Sequence, residues 1–475
     1  MKKIVSICII MSLVLCLSAY VSADEITEAT EQVQVVQDAS VLRGCHSIDA
    51  QSSLLGTGQL TDNVQAVFLY EANSDTLMYA WNPDAQMYPA SLVKIMTAWI
   101  ALEEGNLADK VAVTQAAVDS VPYDAASAEL VPGEVLTLEE LLYCLLVDSA
   151  NDAAAVIAEH ISGSQAAFVE KMNAYALQIG CNGTNYMNVH GLHHDTQYTT
   201  ARDSARILKA AMDNEKFREI FSAVTYTVMP TNKSEARELT SGNFMTDVGS
   251  YLYYDQRVIG GRTGVASDGR RCFAAVSEYN GMQLISVVMG CESVYKEDGY
   301  TAVTIGGFKE TKKLLDAGFT GYKPSQVLYA NQALIQCKVT DGDADVVLGP
   351  QTSLSTVLPE DITFADLDFR YTEHSFTAPV ETGQKVSSVQ IWYGSMCVAE
   401  ADLFALNAVR QNNVKPSEAE QEREDSAAPT VIIVISAIVG TAVLTLLFVR
   451  FSGRIKIMLA SRRSKQYRRS RRRSQ

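Results

Sequence analysis

Ser91 and Lys94 stand three residues apart, within the segment Pro89-Ala90-Ser91-Leu92-Val93-Lys94. A hydroxyl is a poor nucleophile until a base takes its proton, and a spacing of three places both side chains on one face of a helix. The pair could therefore form a covalent acyl-enzyme, with Ser91 as the nucleophile and Lys94 as the base. A Ser-x-x-Lys pattern often arises by chance, so the pair alone does not identify an active site.

Two further motifs follow, and their order and spacing give the first one weight. Ser149-Ala150-Asn151 comes after a predicted buried helix, and Arg262-Thr263-Gly264 precedes a predicted strand hairpin. Together the three motifs resemble the signature of the penicillin-recognising serine enzymes, which is Ser-x-x-Lys, Ser-x-Asn and Lys-Thr-Gly.

Within that superfamily the chain is most similar to the serine D-alanyl-D-alanine carboxypeptidases, the low-molecular-mass penicillin-binding proteins. The resemblance spans roughly residues 60 to 320, and the region after it matches the layout of the family by arrangement rather than by motif. Besides the Ser91 segment, the segments that carry the resemblance are Ser149-Ala150-Asn151-Asp152-Ala153, His190-Gly191-Leu192 and Tyr198-Thr199-Thr200-Ala201-Arg202-Asp203.

The resemblance implies a role for each residue of the first two motifs. Ser91 would attack the carbonyl of the penultimate D-alanine, and Lys94 would accept its proton if burial and nearby cations keep the amine neutral. Ser149 would relay protons towards the departing D-alanine. Asn151 would donate to a peptide carbonyl of the substrate. The reaction needs no metal and no organic cofactor.

The resemblance places the substrate-binding residues at Arg262, Thr263, Gly264 and Val265. The cation at 262 and Thr263 would hold the terminal carboxylate, and the backbone N–H groups of Ser91 and Val265 would form the oxyanion hole. The family usually has lysine at position 262. Arginine keeps the positive charge but cannot give up a proton near neutral pH, so we expect Arg262 to act mainly as an electrostatic anchor.

The resemblance implies that the substrate is a peptidoglycan stem peptide and that β-lactam antibiotics are covalent inhibitors. A β-lactamase would share the three motifs, but the best-known class hydrolyses its acyl-enzyme with a glutamate that follows Ser-x-Asn by roughly 35 residues. The chain has no glutamate between Lys171 and Lys209. A non-catalytic penicillin-binding or wall-binding scaffold is the other alternative, with Arg262 as a sign of decay.

His190, His193, His194 and Asp195 could suggest a metal site by composition alone. The segment matches a loop that binds no metal in the family that the chain resembles, so we predict no metal site.

The predicted fold class is α+β, with an antiparallel sheet flanked by helices in a transpeptidase domain of the penicillin-binding and β-lactamase type. A small all-β domain and a C-terminal transmembrane helix follow it. Three local signals support the domain: a capping box at Thr137 and Glu140, a hairpin turn at Asn280-Gly281, and Gly105 at the end of the helix after Ser91. The predicted divisions are a signal peptide (1–23), a leader (24–57), the carboxypeptidase domain (58–320), the small β domain (321–405), a stalk (406–430), a transmembrane helix (431–449) and a basic cytoplasmic tail (450–475).

The two ends of the chain predict secretion and a membrane anchor. Lys2 and Lys3 precede an apolar run that ends before Val21-Ser22-Ala23, which suits a signal peptidase. Residues 431–449 are uncharged and long enough to cross a bilayer once, and the basic tail beyond them predicts a cytoplasmic C-terminus. The catalytic domain would therefore lie outside the cell membrane.

Charge argues against nucleic acid as a partner. The signal peptide and the tail hold two and eleven of the 39 basic residues and none of the 55 acids, so the remainder has a formal net charge of −29. An acidic ectodomain favours solubility and does not attract a polyanion. The tail is expected to orient the span and to contact anionic lipid.

The cysteines predict no particular disulfide. Seven of the nine remain after the signal peptide, and an odd number cannot all pair within one chain. A two-residue turn at Asn280-Gly281 would set Cys272 opposite Met289, which makes Cys291 a diagonal neighbour and too distant for a bridge.

Overall fold

The computed structural model describes residues 54–56, 58–297, 302–372 and 375–412. The predicted signal peptide, transmembrane helix and cytoplasmic tail lie outside these residues, as do most of the predicted leader and stalk. No helix in the described part of the chain is both long enough and apolar enough to span a bilayer.

The helices and strands follow one another in the order strand pair, helical region, strands, helix and a final run of strands. The helices are α1 Val93–Glu104, α2 Gln115–Asp119, α3 Leu138–Leu146, α4 Asn151–Ser162, α5 Gln165–Gln178, α6 Ala201–Met212, α7 Glu215–Phe221 and α8 Gly306–Phe319. The strands are β1 Ala66–Glu71, β2 Thr76–Trp81, β3 Lys110–Ala112, β4 Val135–Thr137, β5 Thr225–Val228, β6 Arg237–Thr240, β7 Val258–Val265, β8 Arg271–Tyr279, β9 Met282–Cys291, β10 Val294–Tyr295, β11 Ala302–Thr304, β12 Tyr322–Leu328, β13 Ile335–Cys337, β14 Val339–Thr340, β15 Val346–Gly349, β16 Leu354–Pro359, β17 Asp368–Tyr371, β18 Phe376–Thr377, β19 Lys385–Tyr393 and β20 Met396–Ala405.

The main sheet is antiparallel, with the strand order β2-β1-β9-β8-β7. Its central hairpin forms as the sequence predicts, because Asn280 and Gly281 both adopt positive φ angles, of 50° and 78°, and Tyr279 pairs with Met282 across the turn. The strands β1, β8 and β9 are buried on both faces. The sheet therefore separates two apolar cores and sets β7 at one edge.

Helices cover one face of this sheet, and α8 packs on the other. α1 runs through the centre of the helical layer, and residues at its start, middle and end, such as Val93, Ala98 and Ala101, are fully buried. The predicted capping box is present at α3, where Thr137 accepts from the backbone of Glu140 and the Glu140 side chain accepts from that of Thr137. This cap starts the buried helix that leads to Ser149.

The cysteine pair that the sequence singled out is separated by a bulge. The register shifts between Arg271 and Phe273, so that Arg271 lies opposite Cys291, where an unbroken register from the Asn280-Gly281 turn would place Arg270. Cys272 belongs to the core beneath the helices and Cys291 to the core beneath α8, and both thiols are free. In the small β domain, Cys397 is disulfide-bonded.

The chain from β12 onward forms an all-β unit, as predicted. Its larger sheet has the order β13-β15-β20-β19-β17, and the pairs β12-β16 and β14-β18 accompany it. The packed chain continues past the predicted boundary at residue 405, because Val409 is 1% exposed and bridges Val380. The unit contacts the first domain through the hydroxyls of Thr76 and Thr356, which lie 3.0 Å apart in a buried position.

Candidate active site

Ser91 lies in a single 3-10 turn, Ala90–Leu92, directly before α1. Two glycines from distant segments let the chain pack closely around this turn. A Cβ atom on Gly264 of β7 would lie 3.1 Å from the backbone nitrogen of Ser91, and one on Gly191 would lie 2.0 Å from the carbonyl oxygen of Ala90. Ala90 itself has a positive φ of 47°, which non-glycine residues rarely adopt.

Lys94 is fully buried one turn further along, with its amine directed at the serine. Its Nζ lies 3.1 Å from Ser91 Oγ, 2.7 Å from Asn151 Oδ1 and 2.6 Å from the carbonyl oxygen of His190. Burial holds the pKa of Lys94 well below its ordinary value, the Arg262 cation lowers it further, and the Asp152 carboxylate opposes both effects. An amine with a depressed pKa is able to act as a base.

Ser149 and Asn151 reach the same point from the turn between α3 and α4. Ser149 has a positive φ of 65°, and its hydroxyl donates to Ser91 Oγ over 3.3 Å. Asn151 begins α4 and donates through Nδ2 to the carbonyl of Ala126, which directs its Oδ1 at Lys94. Ser149 thus contacts Ser91, and Asn151 contacts Lys94.

Arg262 extends from β7 towards the end of α3. The residue is 5% exposed, and its Nη1 donates to the carbonyl of Leu146 over 2.6 Å. Burial lowers the pKa of Arg262 to about 10, and the Asp148 carboxylate opposes this shift. The guanidinium therefore keeps its positive charge at neutral pH beside the edge of the cleft.

The predicted site residues share one open cleft of about 660 Å³, except for the buried Lys94, which contacts Ser91 from below. The cleft runs between β7 on one side and the Ser149 turn on the other. Its lining includes all of the other predicted residues: Ser91, Ser149, Asn151, Arg262, Thr263, Gly264 and Val265.

The structure adds three groups whose contacts the sequence did not predict. The backbone carbonyl of His190 accepts from Lys94, and burial together with the Lys94 charge lowers the pKa of His190 to about 4. Asp152, at 3% exposed, accepts from the backbone N–H groups of Ala128 and Leu130 and so holds the loop that carries the Ala126 carbonyl. The segments that contain His190 and Asp152 carry part of the family resemblance. The sequence did not reveal the hydrogen-bond partners of either residue.

Asp148 is the third such group, and it lines the cleft directly before Ser149. Burial raises the pKa of this carboxyl to about 6, the neighbouring Asp152 adds to the shift, and Arg262 opposes it. Only the structure shows that this half-buried carboxyl lies in the same cleft as Ser91.

The histidines that suggested a metal site by composition have other contacts. His193 lies 3.1 Å from Ser267 Oγ through Nδ1 and 3.2 Å from Asp195 through Nε2. Within the described residues, no group of three or more histidine, cysteine or carboxylate side chains could hold a metal ion.

A hydroxyl beside a buried amine, with a second hydroxyl and a fixed cation nearby, suits acyl transfer to serine. The families that the chain resembles in sequence agree with this chemistry. Residues 56–293 match the D-alanyl-D-alanine carboxypeptidase family, and residues 322–411 match the C-terminal domain of penicillin-binding protein 5.

Individual proteins are similar over most of the chain. D-alanyl-D-alanine carboxypeptidase DacA from Haemophilus influenzae is 29% identical over 78% of this chain and 91% of its own length. DacF from Bacillus subtilis is 25% identical over 74% of this chain and 86% of its own. The crystal structure of penicillin-binding protein 5 from Haemophilus influenzae aligns with a TM-score of 0.63 at 30% identity, covering 75% of this chain and all of that one. Since the family match takes in half of the 475 residues, the chain belongs to the D-alanyl-D-alanine carboxypeptidase family.

Proposed function

We propose that this protein removes the terminal D-alanine from peptidoglycan stem peptides through an acyl-enzyme on Ser91. It is a serine-type hydrolase of peptidoglycan metabolism. The observation that carries the assignment of the nucleophile is the contact of 3.1 Å between Ser91 Oγ and the buried amine of Lys94.

Lys94 acts as the base for Ser91. A neutral amine has two N–H donors and one lone pair, and the two shortest contacts of Nζ are with acceptors that can only receive hydrogen bonds, Asn151 Oδ1 at 2.7 Å and the His190 carbonyl at 2.6 Å. The lone pair is then left to face Ser91 Oγ. As Ser91 attacks the penultimate carbonyl carbon, its proton moves to Nζ.

Ser149 returns the proton to the leaving group. Its hydroxyl lies 3.3 Å from Ser91 Oγ and faces the same cleft. In this proposal it gives its proton to the departing nitrogen and takes one from the Lys94 ammonium, which returns Lys94 to the neutral amine. The C–N bond breaks, D-alanine leaves as the amine, and the acyl carbon stays bound to Ser91. The Nδ2 group of Asn151 orients the residue on Ala126 and, at the cleft side, is available to a substrate carbonyl.

Arg262 and Thr263 bind the terminal carboxylate of the substrate, and Gly264 allows β7 to approach Ser91. The backbone N–H groups of Ser91 and Val265 form the oxyanion hole, where one donor is worth about 3 to 4 kcal/mol in the transition state. Arg262 contributes charge rather than a proton, because its pKa of about 10 keeps it cationic at neutral pH.

Water completes the cycle by attacking the acyl carbon, which releases the shortened peptide and regenerates Ser91. These steps use only groups of the chain and water. A penicillin would acylate Ser91 in the same way and remain bound, because the chain has no glutamate between Lys171 and Lys209 to activate water.

The proposed location follows from the ends of the sequence. A signal peptide over 1–23 directs secretion, residues 431–449 cross the membrane once, and the basic tail stays in the cytoplasm. The catalytic domain (58–320) and the β domain (321–405) then face the cell wall, joined to the span by the stalk.

The test uses the full-length protein in detergent with a short peptide that ends in D-Ala-D-Ala. Mass spectrometry should detect release of one D-alanine, and Ser91→Ala should abolish it. Fluorescent penicillin should label the wild-type protein and leave Ser91→Ala unlabelled. Labelling without any D-alanine release would support a penicillin-binding scaffold instead.

A further inference from the structure

Cys397 of β20 is disulfide-bonded, and its partner is not one of the other cysteines that the structure describes. Those other cysteines are all free thiols: Cys144, Cys181, Cys272, Cys291 and Cys337. The remaining cysteines of the sequence, which lie outside the described residues, are Cys8, Cys16 and Cys45. Within one chain, the partner of Cys397 is therefore one of these three.

Two of the three belong to the proposed signal peptide. Cys8 and Cys16 stand within residues 1–23, which a signal peptidase removes from the mature protein. Cys45 stands in the leader (24–57) and is kept. A bond between Cys45 and Cys397, together with the five free thiols, accounts for all seven cysteines of the mature chain.

The end of the leader lies at the junction of the two folded units. The backbone N–H groups of Leu54 and Leu55 donate to the carbonyls of Leu77 and Met78 on β2, over 3.3 and 2.9 Å. The carbonyl of Leu54 accepts from the hydroxyl of Tyr322, at the start of the β domain, over 3.1 Å. The Leu54 side chain packs against the apolar core beneath α8 and against that of the β domain. The leader thus contacts both units at its end.

A short series of contacts joins this point to Cys397. Leu77 follows Thr76, whose hydroxyl lies 3.0 Å from that of Thr356 on β16. The Thr356 hydroxyl donates to the carbonyl of Val398 over 2.6 Å, and Val398 is the residue next to Cys397. Each step connects immediate neighbours, so Cys397 lies close to the place where the leader meets β2.

The leader is long enough to cover this distance. Leu54 stands nine positions after Cys45. An extended chain advances about 3.3 to 3.6 Å per residue, so a segment of this length spans about 30 Å. Cys45 can therefore reach Cys397 while Leu54 keeps its place on β2.

We propose that Cys45 and Cys397 form a disulfide that ties the leader to the β domain. The inference rests on the proposed secretion of the chain and not on the proposed reaction. Forming the bond removes two protons and two electrons from the two thiols, and the disulfide of an extracytoplasmic oxidoreductase accepts them as it becomes a dithiol. Such bonds persist outside the cytoplasm, where the surroundings are oxidising.

The bond gives the two units a second covalent connection. Among the described residues, the backbone passes from the first unit to the β domain once, at Gly321 between α8 and β12, which has a positive φ of 77°. A leader that is held to β2 at Leu54 and to β20 at Cys397 restrains rotation about that connection. The disulfide thereby helps to fix the orientation of the catalytic cleft relative to the β domain and the stalk beyond it.

The test maps the bond in full-length protein, purified in detergent from the membranes of a bacterial host. Free thiols are alkylated as the protein is unfolded, so that they cannot exchange with the disulfide. Trypsin then releases residues 44–94 and 386–410 as peptides with one cysteine each, Cys45 and Cys397. We expect mass spectrometry to find these two peptides joined, and to find them separate after reduction. Electrophoresis without reductant should show the monomer.

Variants test the same bond through the thiol that each leaves behind. Cys45→Ser should turn Cys397 into a free thiol that a maleimide labels, and Cys397→Ser should do the same for Cys45. The matched control is Cys337→Ser, which removes a free thiol from the β domain and should keep the joined peptides. Reductant should lower the Tm of the wild-type protein towards that of Cys45→Ser, and should leave the Tm of Cys45→Ser unchanged.

Recovery of Cys397 as an alkylated free thiol from the wild-type protein would overturn the proposal. A Cys397 peptide joined to Cys8 or Cys16 would overturn it as well, and would contradict removal of the signal peptide. So would a species of twice the mass that reductant converts to the monomer, because the bond would then join two copies. A failure to release D-alanine would instead contradict the proposed function and would not alter the mapped bond.

Discussion

Gly191 packs against Ala90 so closely that a Cβ atom on the glycine would lie 2.0 Å from the carbonyl oxygen of the alanine. The contact joins the loop that supplies the His190 carbonyl to the turn that carries Ser91. Lys94 and Thr97 of α1 bond to the same loop, at the carbonyls of His190 and Val189 over 2.6 Å each. The loop therefore holds both the turn that carries Ser91 and the side chain of Lys94.

Gly191→Ala should separate the loop from the serine turn and lower kcat/KM by about 100-fold, the effect of displacing catalytic groups by roughly 1 Å. The matched control is Gly163→Ala, because Gly163 also has a positive φ, 75° against 92°, but has open space where a Cβ would stand. Both variants should lose stability from the strained backbone, measured as Tm. Only Gly191→Ala should lose activity, and equal activity losses would contradict the role of this contact.

Arg262→Gln should move the acidic limb of the pH profile to higher pH. The base must be neutral to act, so the acylation rate rises with pH as Lys94 loses its proton. Arg262 is one of the causes that lower the pKa of Lys94, because a nearby cation disfavours the ammonium form. Its removal favours that form and raises the pKa. The rate of labelling by fluorescent penicillin, measured between pH 5 and 10, will locate the acidic limb. An acidic limb that stays in place or moves to lower pH would contradict the effect of Arg262 on the pKa of Lys94.

Arg262→Lys should keep kcat/KM for D-alanine release within about tenfold of the wild-type value, since lysine preserves the charge that we propose binds the terminal carboxylate. Arg262→Gln should lose more, with the larger part of the loss in KM. The shorter reach of lysine to the Leu146 carbonyl explains why some loss is expected. A lysine variant that switched on an otherwise inert protein would show that Arg262 marks a decayed site.

A motif can be found in the sequence when its interacting residues are adjacent in the chain, or when the motif belongs to a known family signature. The Asn280-Gly281 hairpin and the capping box at Thr137 are confirmed, because each depends on a few adjacent residues. The three motifs of the candidate site lie far apart in the chain, and only the resemblance to a family indicated that they meet. The structure brings them to one cleft.

Backbone partners and packing limits could not be predicted in the same way. Any residue has a carbonyl group, so nothing in the sequence distinguishes those of His190 and Ala126 as the acceptors for Lys94 and Asn151. The register shift opposite Cys272 falls at Gly290 of β9, which has a positive φ of 68°, but one glycine within a strand pattern did not predict the shift. Val409 lies within the predicted stalk (406–430), yet it packs in the core of the β domain.

Asp152→Asn should destabilise the fold by about 2 to 4 kcal/mol, because buried hydrogen bonds to a charged acceptor are worth about 1.5 to 3 kcal/mol and an unpaired N–H adds to the loss. The carboxylate accepts from Ala128, Leu130 and Ala153 and from the Ser127 hydroxyl, over 2.7 to 3.0 Å. An asparagine NH2 must face one of these donors. Urea unfolding will measure the change, with the exposed Asp361→Asn as a control that should shift the free energy of unfolding by less than about 0.5 kcal/mol.

The same Asp152→Asn variant should also shift the pKa of Lys94, in the direction opposite to the shift caused by Arg262→Gln. Asp152 raises the pKa of Lys94, since a nearby carboxylate stabilises the ammonium. Without that charge the pKa falls, so the acidic limb of penicillin labelling should move to lower pH. A purely structural role for Asp152 would lower the labelling rate and leave the limb in place. Opposite shifts in the two variants would show that Arg262 and Asp152 together set the protonation of Lys94.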